Sequence, residues 1–245
     1  MIDDNTSSIF IIGSGRSGTH LVCRLLIEYD EMDDAGFNGN ENFKILSKIV
    51  ESSIMHETLP QSAISYYDKT IPKINKRDKI FVDQCHSNLF HVDQIRNLYP
   101  NAVFLMMTRN PLAIISSYNS SKGKFNRWQD WAKDKKIPLP NNFLGISNKK
   151  ELELPLFDSI CKRVYLMKNY MEEVYQKHKD VIIKIDFDDI VSNPNTFLDN
   201  FSNIKRNKLS KIIIHPEFAN KYKDKLSEIE IHRAYEIQQL IMEKL

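Results

Sequence analysis

Four groups of residues in this 245-residue chain have the types and spacing to do chemistry. The first is the run Gly13-Ser-Gly-Arg-Ser-Gly-Thr-His20, set between Ile9-Phe-Ile-Ile12 and Leu21-Val-Cys-Arg-Leu-Leu26. Gly13, Gly15 and Gly18 permit positive φ and leave backbone N–H groups unshielded. A helix starting behind them would aim partial positive charge at whatever the loop holds. That is chemistry for a phosphate, with Arg16 as a cation inside the loop. The second group is Arg109-Asn-Pro followed by Ser117, a guanidinium fork and a hydroxyl donor of the kinds that bind oxyanions. The third and fourth are Glu41, in Phe37-Asn-Gly-Asn-Glu-Asn-Phe43, and His86, in Val82-Asp-Gln-Cys-His-Ser-Asn-Leu89, each able to take a proton from a hydroxyl.

The elements that must position these groups alternate. Ile9–Ile12 reads as a short buried strand and Leu21, Val22, Leu25 and Leu26 recur at helical spacing. Asp30–Asn40 reads as a polar surface loop, Glu41 opens a helix with Ile45, Ile49, Val50 and Ile54 on one face, and 58–78 takes no assignment. Lys79–Asp83 is a second strand, Ser87 an N-cap for the helix through Val92, Ile95 and Leu98. Ala102–Thr108 is apolar on both faces and is expected to be central, with Pro111 in the first turn of the helix behind it. Leu156–His178 is a long amphipathic helix, Val181–Ile185 a further strand, Asp188–Pro194 a turn, Pro194 onward another helix, and Ser227 onward a charged helix. Such alternation predicts an α/β fold: one domain over 1–245, P-loop-like and doubly wound, its mainly parallel sheet covered by helices on both faces. Ligands of such sheets sit at the carboxyl ends of the strands, where Gly13–His20, Asp83–His86 and Arg109 all fall.

Three kinds of loop fit the glycine pattern. As Gly13-x-Gly15-x-x-Gly18 it matches a dinucleotide fingerprint, which needs a second strand ending in an acid about 20 positions on. Asp33 and Asp34 lie near that distance, but Tyr29–Gly36 carries no expected strand. As Gly13-x4-Gly18 it matches an ATP/GTP loop, except that Thr19 stands where Lys is required and His20 where a Mg²⁺-binding hydroxyl is required.

The third fit is better. Gly15-Arg16-Ser17-Gly18-Thr19 resembles the 5′-phosphosulfate loop of the sulfotransferases, which use 3′-phosphoadenosine-5′-phosphosulfate (PAPS), and Arg109 with Ser117 eight positions on resembles that family's 3′-phosphate motif. The resemblance implies that Gly15, Arg16, Ser17, Gly18, Thr19 and His20 cradle the donor, with Arg16 at the bridging and sulfuryl oxygens. Asp186–Pro194 is similar to the family's Tyr-Glu-Asp-Leu segment, placing Phe187 where an aromatic lies by the adenine. Val82–Leu89 is similar to the segment that carries a lysine and, in the cytosolic enzymes, a catalytic His; Gln84 replaces the lysine and His86 matches the His. Glu41 lies where many bacterial relatives place a catalytic Glu, and is favoured over His86 as general base. His20 replaces a common phosphate-binding Thr.

Composition bounds the partners. Lys and Arg total 34 against 32 acids, for a net charge of +2 and a pI near 8.3, so any anion site is built locally and nucleic acid is not implied. Cys23, Cys85 and Cys161 are widely spaced and odd in number, which suggests reduced thiols and a cytoplasmic setting. No apolar run approaches the ~20 residues of a membrane span, and no metal is expected, since His86 and His91 are off helical ligand spacing. Lys122, Lys124, Arg127, Trp128 and Trp131 read either as a lid over the nucleotide or as an amphipathic helix. The implied reaction is sulfuryl transfer from PAPS to a hydroxyl of a glycan or small metabolite. Its rivals are an ATP-dependent small-molecule kinase, with Asp83 as the Mg²⁺ acid, and a nucleotide-binding protein that has lost turnover.

Overall fold

The computed structural model describes residues 2, 5–121, 129–193, 197 and 222–243. Five parallel strands form one sheet in the order β2-β3-β1-β4-β5: β1 Ser8–Gly13, β2 Met32–Asp33, β3 Ile80–Gln84, β4 Ala102–Thr108 and β5 Ile182–Asp186. β1 is the middle strand, paired with β3 from Ser8↔Phe81 to Ile11↔Gln84 and with β4 from Ser8↔Ala102 to Gly13↔Met107. β4 is an interior strand flanked by β1 and β5, as its two apolar faces predict, while β1 stands at the middle of the sheet.

The period of two divides the sheet's side chains between two layers. Phe10, Ile12, Phe104 and Met106 face one way, onto α2 (Phe43–Met55), α3 (Gln61–Asn75), α4 (Val92–Leu98) and part of a long helix at Leu156–His178. Ile9, Ile11, Leu105 and Met107 face the other, onto α1 (Thr19–Leu26) and a short helix at Phe187–Ser192. Further helices among the described residues include α5 (Pro111–Asn119), α6 (Leu156–His178), α7 (Phe187–Ser192) and α8 (Glu228–Met242); α5, α6 and α8 share a separate apolar cluster.

Several local expectations are corrected. A two-residue strand, β2, does stand at the sheet edge, pairing Met32↔Ile80 and Asp33↔Phe81, where a strand too short to show a period gives no sequence signal. Residues 58–78 contain α3, obscured in sequence by Pro60 at its N-cap and Pro72 inside it. Ser87 is no N-cap: Cys85 precedes a 3-10 turn, His86–His91, that leads into α4. Asp188–Ser192 is part of helix α7, capped by the Asp186 carboxylate accepting from the Asp188 N–H, and not a turn. α2 begins at Phe43 with Asn42 at its N-cap, so Glu41 lies just ahead of it. α6 has the expected bounds, and α8 opens on Ser227, which forms a capping box with Glu230. The helix expected from Pro194 onward lies outside the described residues.

This connectivity fixes the site. The chain leaves β1 through α1 toward β2 and leaves β4 through α5 and α6 toward β5, so the connections diverge at the carboxyl ends of β1 and β4. A crevice at such a switch point is where open α/β sheets bind ligands.

Candidate active site

The loop after β1 turns on residues that only its sequence permits. Gly13 has φ +145°, and a Cβ there would meet the Met107 carbonyl of β4 at 2.8 Å. Gly18 has φ +104°, serves as the N-cap of α1, and lies against the Phe187 ring without room for a side chain. Leu21 and Val22 donate to the Gly18 carbonyl, so the amides of Gly18, Thr19 and His20 have no intrahelical acceptor and leave partial positive charge at the start of α1. Ser17 is fully buried, its hydroxyl donating to the Ser14 carbonyl at 2.7 Å, so its side chain shapes the loop from within. Thr19 is likewise turned inward, Oγ1 accepting from Gln84 Nε2 at 2.8 Å.

α5 brings the downstream group to the same place. Asn110 caps the helix by accepting from the Leu112 N–H at 2.9 Å, and Pro111 at the first position loses no hydrogen bond. Arg109 at the β4 end donates through Nη1 to the Arg16 carbonyl at 3.1 Å, with its guanidinium 4.0 Å from the centre of the Phe187 ring. Burial, helped by Arg16, holds the Arg109 guanidinium below its ordinary pKa, while Asp188 and Asp186 oppose that shift. Ser117, two turns along α5, accepts from Arg16 Nε at 3.0 Å, and Ser121 lies 3.4 Å from Arg16 Nη2. Arg16 itself is exposed, with φ +71°. Two cations, a hydroxyl and a helix N-terminus therefore share one wall of the crevice. Phe187 is buried between Gly18 and Arg109, where its ring is a floor for the guanidinium.

The opposite wall holds the proton-handling candidates. Glu41 Oε1 lies 3.2 Å from His86 Nδ1, and His20 Nε2 is 3.9 Å from the same oxygen. The two residues treated as rivals in the sequence are partners. The His20 Nδ1–H donates to the Gly39 carbonyl at 3.1 Å. Burial pushes the Glu41 carboxyl up, but the His86 hydrogen bond, the charges of His86 and His20 and a hydrogen bond from Gln84 outweigh it, so the group sits below the usual carboxylate range. His86 Nε2, at the other end of its ring, is 3.5 Å from where a Cβ on Gly15 would stand, and so faces the phosphate loop.

The sulfotransferase family model matches residues 8–201, which takes in both walls of this crevice. The chain belongs to the sulfotransferase family. Among solved structures it is similar to the sulfotransferase domain from the curacin biosynthetic pathway, at 12% identity and TM-score 0.58 over 96% of this chain and 97% of that one. It is also similar to the sulfotransferase domain of the Synechococcus PCC 7002 olefin synthase, at 11% identity and TM-score 0.51 over 96% and 94%. At such identities the likeness is one of fold, the P-loop-like α/β architecture. No curated relative matches the sequence. No helix among the described residues of this sulfotransferase is long and apolar enough to cross a membrane.

Sequence reasoning missed a buried network directly beneath the site. Asp83 Oδ2 accepts from Tyr67 Oη at 3.0 Å and Asn88 Nδ2 at 2.7 Å, and the same Asn88 amide reaches Tyr67 Oη at 3.0 Å. Burial raises Asp83 to about 7 despite these donors, with Glu41 adding to the rise. A carboxyl enclosed in this way suits holding β3 to the following turn better than gripping Mg²⁺, the role the kinase reading gave it. Its sequence signal was only its place between a strand and His86. Cys23, Cys85 and Cys161 are free and buried. Lys122, Lys124, Arg127 and Trp128 lie outside the described residues, and Trp131 packs partly buried against the cluster around Val50, Ile54 and Phe143.

Proposed function

We propose that this protein transfers the sulfuryl group of PAPS to a hydroxyl of a small metabolite or glycan. The observation that carries the reading is the meeting of Arg109, Ser117 and Arg16 beside the N-terminus of α1. A donor with phosphates on the 3′ and 5′ positions of one ribose needs two neighbouring anion sites about a sugar's width apart, and ATP or NAD has no use for the second. The glycine loop and α1 fit the 5′ end; Arg109 and Ser117 fit the 3′-phosphate. PAPS supplies a sulfuryl group on a phosphate leaving group. Arg16 and the amides of Gly18, Thr19 and His20 stabilise the charge that grows on that phosphate. His86 Nε2 faces the loop and takes the acceptor's proton, while the Glu41 carboxylate holds Nδ1–H and balances the imidazolium that forms, a division of labour known from carboxylate–histidine pairs. The sequence ranked Glu41 first as base; the direction of the His86 ring supports the pair acting together with His86 foremost.

Gln84, in the lysine's place, supports a second reading of binding without turnover. Its amide contacts both Thr19 and Glu41, so it braces the site without adding charge. The test of the donor is selectivity. Arg109→Ala should weaken adenosine 3′,5′-bisphosphate by about 10- to 100-fold, the equivalent of the roughly 1.5–3 kcal/mol of a charge-assisted hydrogen bond. Adenosine 5′-monophosphate, lacking the 3′-phosphate, should be nearly unaffected. Equal losses for both ligands, measured by calorimetry, would sink the assignment.

A further inference from the structure

The segment that delivers Glu41 is built against its backbone preferences. Ala35, Gly36, Asn38 and Gly39 have φ of +60°, +86°, +53° and +73°, and two of these residues carry a side chain that disfavours such values. A loop of this shape persists only where its surroundings over-determine it. Asp34, 7% exposed, supplies the constraint: Oδ1 accepts from the Gly36 N–H at 3.1 Å and Oδ2 from the Gly39 N–H at 2.5 Å. A carboxylate accepting from two amides makes stronger bonds than a neutral acceptor would. Gly39 is held from its other side by His20 and is pressed against Arg24 with no space for a side chain. Two residues on, the Glu41 side chain, 12% exposed, arrives on His86.

We infer that Asp34 is a positioning residue: its carboxylate shapes the loop through Asn40 and thereby seats Glu41 against His86. The inference rests on the reading of His86 and Glu41 as the proton-handling pair. The hydrogen bonds of Asp34 go to Gly36 and Gly39, so its effect on the pair passes through the loop it shapes.

The test needs no acceptor. The ¹⁵N shift of His86 Nδ1, read through the carbon-bound ring protons of the full-length chain and assigned with His86→Asn, reports whether a carboxylate sits on that nitrogen. Glu41→Ala sets the shift for its loss. Asp34→Ala is expected to move the signal most of the way to the Glu41→Ala position, with the dissociation constant of adenosine 3′,5′-bisphosphate changing by less than about threefold, as for independent sites. Asp34→Asn keeps an acceptor for one amide and guards against misfolding of the alanine variant; its shift should be intermediate. Wild-type shifts in both Asp34 variants, with a displaced shift in Glu41→Ala, would overturn the positioning role. So would displaced shifts accompanied by loss of bisphosphate binding, which would make Asp34 a general folding residue. Failure of the wild-type protein to bind the bisphosphate would strike the proposed donor instead, and leaves the comparison of shifts intact.

Discussion

Arg16 and Ser117 are 101 positions apart in the chain, with four complete α-helices and three strands between them, yet their side chains meet at 3.0 Å. Across the crevice Glu41 and His86 meet at 3.2 Å. The second pair has a direct kinetic consequence. His86→Asn removes the ring nitrogen that faces Gly15 and is expected to lower kcat by about 10²–10⁴, the usual worth of a general base, with bisphosphate affinity nearly unchanged. Glu41→Gln keeps the shape, withdraws the charge behind the imidazole and should lower kcat less. Steady-state rates and nucleotide affinities of both variants, on an acceptor found by screening with labelled PAPS, decide the order. A larger loss in Glu41→Gln than in His86→Asn would move the base to the carboxylate.

At the scale of elements, the junction of β3 with its 3-10 turn is the least obvious piece of engineering. Gln84 reaches up to Thr19 at the start of α1, His86 reaches Glu41, and Asp83 below them ties Tyr67 of α3 to Asn88 of the turn. The carboxyl of Asp83 is raised to about 7 by burial in the native protein, against an ordinary value near 3.8. Between those two values the native state holds a proton that the unfolded chain has released. The contribution of this group is therefore fully present below pH 4, declines as pH rises, and is gone above about 7. Asp83→Asn keeps an oxygen for both donors and removes the ionisation. The unfolding midpoint of the wild-type protein should fall relative to that of Asp83→Asn as pH is raised from 4 to 7; parallel curves in thermal scans would show that Asp83 does not titrate in this range.

At the scale of the molecule, a switch point between β1 and β4 gathers residues from α1, α5, α7, the β2–α2 loop and the β3 turn around one crevice. A ligand held by so many elements binds the native state and not the unfolded chain, so it raises stability by RT ln(1 + [L]/Kd), about 2.7 kcal/mol at a hundredfold excess over Kd. Adenosine 3′,5′-bisphosphate should give a clear rise in Tm, and ATP and NAD at equal concentration much smaller ones. Equal shifts with all three, or the largest with NAD, would contradict a site shaped for two separated phosphates.

The sequence by itself determined the strand–loop–helix character of residues 8–26, the long helix α6 and the alternation that makes a parallel sheet, because glycine spacing and hydrophobic period are local properties. It also marked Gly15, Arg16 and Gly18 as a phosphate-type loop after an apolar strand, and the resemblance to the sulfotransferases added Arg109 and Ser117. What it left open was order and orientation. That β1 rather than β4 is the middle strand, that a two-residue β2 exists, and that α3 runs through Pro72 depend on pairing and packing partners distant in the chain. The tertiary structure alone decided that Glu41 and His86 are partners, that His20 bonds to Gly39, and that Asp34 holds the backbone of that loop. Side-chain direction is set by hydrogen bonds between segments, and no local pattern encodes a contact whose two halves come from different elements of the fold.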